Sequence, residues 1–113
     1  MKYIYIIIGV ALLLFASCTQ QQQAKSVAKD FVAAHISDDA DYLEFSDLDS
    51  TRAISDSLVQ VLRQQGPKGA NYQERASKTL YLLRAKYLLD DDTCSTTFYM
   101  NPDMAGVVAV KNN

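Results

Sequence analysis

Residues 79–100 run Thr79-Leu80-Tyr81-Leu82-Leu83-Arg84-Ala85-Lys86-Tyr87-Leu88-Leu89, then Asp90-Asp91-Asp92, then Thr93-Cys94-Ser95-Thr96-Thr97-Phe98-Tyr99-Met100. The fold turns on how the first part is read. With period 3.6, Tyr72, Ala76, Leu80, Leu83 and Tyr87 line one face of a long helix, and Leu, Ala, Arg and Lys are good helix formers. With period 2, Tyr81, Leu83, Ala85, Tyr87 and Leu89 form one face and Arg84 and Lys86 the other. The residues after Leu89 decide for the strand. The three aspartates read as a turn, and Cys94 to Met100 is rich in residues that suit a pleated surface. Asn101-Pro102-Asp103 is a second turn signal, and Gly106 to Val110 a last short strand. Two turns at this spacing predict a three-stranded antiparallel meander over residues 79–111.

Upstream, Ala24, Val27, Ala28, Phe31, Val32 and His35 recur at helical spacing, while Lys25, Lys29 and Asp30 fall elsewhere. This predicts a helix over 24–36, ended by Ser37-Asp38-Asp39. Asp41 to Leu48, with Tyr42, Leu43 and Phe45, reads as a short strand. Ile54, Leu58, Val61 and Leu62 predict a second helix to Gln65, with Asp49, Ser50 or Thr51 as its N-cap. Gly66 suits a left-handed residue past its end and Pro67 cannot continue it. Lys68 to Asn71 reads as a loop. The prediction is an α+β fold in the order α-β-α-β-β-β, an N-terminal helix packed on a small antiparallel sheet. In element order it resembles the cystatin-like and NTF2-like folds.

The first residues are of a different kind. Met1-Lys2 is followed by an apolar run from Ile4 to Phe15. A dozen residues rise about 18 Å as a helix, against a hydrocarbon core of roughly 30 Å. The run is therefore read as a secretory h-region rather than a permanent span. Phe15-Ala16-Ser17-Cys18 closes it with small residues before a cysteine. This motif resembles the lipobox cut by signal peptidase II in bacterial lipoproteins, and with Phe15 in place of the usual Leu it is similar to the looser boxes of Bacteroidetes. The resemblance covers residues 1–18. It implies cleavage between Ser17 and Cys18, a diacylglyceryl group on the Cys18 thiol, and fatty acylation (palmitate-type) of the new amino terminus. Several chains anchor stably where one binds only marginally. Thr19 stands where an inner-membrane lipoprotein often has Asp, and Thr19-Gln20-Gln21-Gln22-Gln23 carries no charge. By the same resemblance the expected address is the outer membrane, facing the periplasm.

The expected organisation is a signal peptide over 1–17, a lipidated Cys18 and short polar tether over 18–23, and one small α+β domain over 24–113. Without Lys2 of the leader, 10 basic residues face 13 acidic ones, a formal net charge of −3. That balance offers no footprint for nucleic acid and no polybasic stripe for anionic lipid. With Cys18 lipidated, Cys94 has no intrachain partner and reads as a small buried hydrophobe in a strand.

No catalytic constellation is legible. His35 is the only histidine, and at the end of an apolar helix face it reads as a packed or capping residue. No Cys/His cluster has zinc spacing, and no serine sits in a nucleophile-elbow context. The aspartates at 38, 39, 41, 47 and 49 lack the glycine and glutamate of a calcium loop. No metal site or cofactor is expected. Five tyrosines remain beyond the leader, and Tyr81, Tyr87 and Tyr99 fall on the meander. They are read first as core residues and second as candidate ligand-binding residues. The expected function is accordingly non-enzymatic: a membrane-anchored envelope lipoprotein that binds or scaffolds a protein partner. The alternative is a small module that binds an apolar ligand in a pocket between helix and sheet. No signal for an oligomeric state is present.

Overall fold

The computed structural model carries backbone from Lys2 and describes side chains from Thr19 to Asn113. The expected signal peptide, the cleavage residue Ser17 and the lipid acceptor Cys18 therefore lie outside the described residues. The elements are α1 (Lys2–His35), β1 (Asp41–Phe45), β2 (Asp49–Thr51), α2 (Asp56–Gln65), β3 (Leu80–Leu89), β4 (Asp92–Met100) and β5 (Val107–Asn112). The five strands form one antiparallel sheet in the order β1-β3-β4-β5, with β2 also paired to β3. The fold is α+β, with one strand more than the sequence suggested.

The ambiguous stretch is a strand. Tyr81 pairs with Met100 and Leu89 with Asp92, which leaves Asp90 and Asp91 as a two-residue hairpin loop. Both have positive φ, 49° and 73°, the geometry whose twist matches that of the flanking strands. Leu83, Ala85 and Tyr87 alternate onto one face of β3, and Leu80 and Leu82 onto the other.

Each face receives a helix. Ala24, Ala28, Phe31 and Val32 of α1 are buried against Leu83, Ala85, Tyr87, Phe98 and Met100. Val59 and Leu62 of α2 are buried with Leu80, Tyr99 and Val108. A fully buried side chain such as Phe31 contributes roughly 1.5–3 kcal/mol. The lysines of α1 are placed usefully too. Lys25 lies 5.5 Å from the Phe45 ring centroid and Lys29 5.5 Å from that of Tyr42. These two rings of β1 are stacked at 5.4 Å.

Three local expectations are corrected. Residues 19–23, read as a polar tether that buries nothing, are helical and belong to α1. Gln21 Nε2 donates to the Ser46 carbonyl at 2.9 Å, and Gln21 Oε1 accepts from the Leu48 N–H at 2.7 Å. Gln23 Nε2 donates to the Met104 carbonyl at 3.2 Å. The glutamines are good helix formers, and their amides supply partners for two irregular loops. Second, Asp49 to Thr51 form β2 rather than a cap. The N-cap of α2 is Ser55, whose Oγ accepts from the Leu58 N–H at 3.1 Å. Third, Gly66 is not left-handed: its φ is −79°. Glycine is needed there for space, because a Cβ would stand 2.3 Å from Tyr72 Oη.

The connection from α2 to β3 is long and irregular, and three side chains pin it. Arg63 donates to the carbonyls of Val108 and Gln73 at 2.9 and 2.6 Å. Arg75 donates to the carbonyls of Ile54, Ser77 and Lys78. Asn101 accepts from Ala76 N–H and donates to the Glu74 carbonyl, both at 2.8 Å. These bonds satisfy backbone groups that no ladder reaches.

Candidate functional site

The candidate site is a cleft of about 560 Å³ at the hairpin end of the sheet. Its wall is built from three distant pieces of chain. The end of α1 brings His35 and Ile36, the end of α2 brings Gln65, Gly66 and Pro67, and the strands bring Tyr87, Leu89, Cys94, Thr96, Asn112 and Asn113. The alternation of β3 aims Tyr87 and Leu89 at the α1 face, and the register sets Cys94 opposite Tyr87.

His35 closes α1. Its ring sits 4.9 Å from Phe31, and its Nε2 accepts from the Asn71 N–H at 3.4 Å. In the neutral ring this leaves the proton on Nδ1 as a donor. Tyr87 is buried and its hydroxyl bonds Thr96 Oγ1 at 2.8 Å. Burial pushes the Tyr87 phenol above its ordinary 10.0, while the Thr96 bond pulls the other way, so the phenol is a neutral donor or acceptor. Cys94 is a half-buried free thiol whose Sγ approaches the Asp92 carbonyl at 3.9 Å. Asn113 is drawn in by its N–H to the Ser95 carbonyl at 2.9 Å and by bonds between its amide and Thr97 Oγ1.

Among the described residues, no aspartate, glutamate, lysine or arginine lines this cleft. Cys94 shares this lining with His35, and among the described residues no lysine or arginine joins them there. The lining suits a neutral ligand: apolar surface at Ile36 and Leu89, with hydroxyl, amide and imidazole groups around it. A second depression, of about 520 Å³, contains Arg52, Arg75 and Lys78 beside the start of α2. The Arg75 guanidinium there is committed to backbone carbonyls and to Asp56 at 3.4 Å. Among the described residues, no group of three or more His, Cys, Asp or Glu could hold a metal ion.

The three tyrosines singled out from the sequence are not brought together. Tyr87 alone lines the cleft. Tyr81 lies on the same face but six residues along β3, roughly 20 Å away at strand rise. Tyr99 points to the opposite face and is buried with α2. No local sequence pattern marks Thr96, Asn112 and Asn113 as site residues, because only the strand register gathers them.

Among the described residues no helix is long and apolar enough to cross a membrane. No protein-family model, curated protein or solved structure matches the chain.

Proposed function

We propose that the chain is a lipoprotein of a bacterial envelope, anchored through lipid on Cys18, whose domain binds or holds other envelope components and catalyses no reaction. The observation that carries this is the order of residues 2–18: Lys2, the apolar run Ile4–Phe15, then Ala16-Ser17-Cys18. An α+β domain packed from the residues directly after Cys18 is consistent with an anchored module. Thr19 after the cysteine and the uncharged glutamines favour the periplasmic face of the outer membrane. The long helix across an antiparallel sheet supports the cystatin-like or NTF2-like reading of the fold. The test is a Cys18→Ala chain followed through membrane fractionation. It should leave the membrane fraction or stay as uncleaved precursor without lipid label. Lipid labelling equal to that of the unaltered chain would remove the proposal.

A second reading is favoured by one observation, the cleft between the ends of α1 and α2 and the sheet, whose described lining holds no aspartate, glutamate, lysine or arginine. On this reading the domain is a small-ligand module that takes a neutral molecule with an apolar part. Titrating neutral sugars, amides and apolar alcohols into the ¹⁵N-labelled domain should shift the Cys94, Thr96 and Asn112 amides first. Shifts confined to other surfaces would count against the cleft.

A further inference from the structure

We infer that the lipid anchor is joined to the fold without a slack tether, so that one end of the domain rests on the lipid surface and the cleft is held away from it. The inference deepens the lipoprotein proposal and rests on it. Gln21, only three positions beyond Cys18, already docks through its side chain. It holds the Ser46 carbonyl and the Leu48 N–H. Gln23 holds the Met104 carbonyl on the other flank, and Ala24 is fully buried. At helical rise Gln21 lies about 4.5 Å from position 18 along the axis and Gln23 about 7.5 Å. The loops 46–48 and 101–105 therefore sit level with the first turns of helix beyond the lipid, one on each side.

Two further observations set the orientation. The solvent face of α1 is Gln22, Ser26, Asp30 and Ala33, all exposed. It has none of the large apolar residues that make a helix lie down in an interface. On this face the lipid is then the only apolar hold, and α1 leads away from the lipid surface. His35 follows Cys18 by seventeen residues, about 26 Å of helix, so the cleft faces the aqueous compartment and its partner is a soluble molecule. The loops 46–48 and 101–105 carry Asp47 and Asp103, and Arg52, Arg75 and Lys78 lie at the same end of the sheet, where Thr51 pairs with Leu80 and Asn101 bonds Ala76.

The test uses the full chain, processed in cells, purified in detergent and placed in phosphatidylethanolamine–phosphatidylcholine vesicles. In a Cys94→Ser background a fluorophore is attached at Asp47→Cys or at Asp91→Cys, both exposed positions. A headgroup-located nitroxide lipid quenches it. Quenching at position 47 should exceed that at 91 by about twofold or more, since the second site lies beyond the far end of α1. Six Gly-Ser residues inserted between Cys18 and Thr19 should bring the two values together. Equal quenching in the uninserted chain, or no response to the insertion, overturns the inference while lipid on Cys18 stands. A Cys18 without lipid by mass overturns the anchor and the inference with it.

Discussion

Gln21 and Ser46 meet where the edge of the sheet breaks between β1 and β2. The Gln21 amide donates to the Ser46 carbonyl at 2.9 Å and accepts from Leu48 at 2.7 Å. Ser46 in turn donates its N–H to the Arg84 carbonyl and accepts the Arg84 N–H on its Oγ. A side-chain amide from the helix thus stands in for the missing strand neighbour, and β1 and β2 run as two pieces of one interrupted edge.

Removing that amide should be felt across the sheet edge. Gln21→Ala should lower stability by about 1–2 kcal/mol, the net value of two part-buried hydrogen bonds. Gln22→Ala, one residue on and exposed, should change it by less than about 0.5 kcal/mol. Urea denaturation of the two variants side by side checks both values. Equal effects would mean that the bridge contributes nothing.

Four phenols tie stability to alkaline pH. Burial is the first cause raising Tyr42, Tyr72, Tyr87 and Tyr99 above the ordinary value of 10.0. The unfolded chain then gives up these protons at lower pH than the folded one. Their contribution is whole below about pH 10 and is lost as pH climbs through the folded values. The urea midpoint should hold from about pH 8 to about pH 9.5 and fall beyond it, with tyrosinate absorbance lagging that of the unfolded chain. Tyr87→Phe should flatten the alkaline fall. At neutral pH it should lose about 1 kcal/mol with the Thr96 bond.

The β3–β4 loop uses aspartate at two positive-φ positions, where Asn-Gly fits with less strain. Asp90→Asn combined with Asp91→Gly should stabilise the domain by about 0.5–1 kcal/mol, seen as a higher Tm. A lower Tm would contradict the hairpin geometry.

Gly66 and Tyr72 should be coupled. Tyr72 Oη is buried without a hydrogen-bond partner, so Tyr72→Phe should be neutral or slightly stabilising. Gly66→Ala should lose about 1–3 kcal/mol by crowding that hydroxyl. In the double variant most of this loss should vanish. Additive losses in a double-mutant cycle would show that the clash lies elsewhere.

The parts of the fold legible in the sequence are those whose partners lie within their own segment's period. Ala24, Ala28, Phe31 and Val32 spell out the buried face of α1, and the alternation Tyr81 to Leu89 followed by a turn spells out β3. β2 was not legible: Asp49-Ser50-Thr51 has no apolar alternation and is a strand only because Leu80 to Leu82 pair with it. The glutamines misled in the opposite sense, since a polar run reads as linker until Ser46, Leu48 and Met104 present unpaired backbone to it. Ser55 was legible in principle as the cap, with Asp56 in the first turn behind it. The cleft was the least legible part. His35, Gln65, Cys94 and Asn112 come from segments that no periodicity links, and only the docking of both helix ends on the hairpin side gathers them.

The proposal that Cys18 is the lipidated amino terminus of the mature chain carries the functional reading. It is tested most directly by mass spectrometry of the N-terminal peptide, from protein extracted in detergent out of cells that make the full sequence. Lipidation at Cys18 predicts a peptide beginning at Cys18 and carrying a diacylglyceryl group with or without an added acyl chain. A peptide that retains residues 1–17, or a Cys18 that reacts as a free thiol, would contradict it.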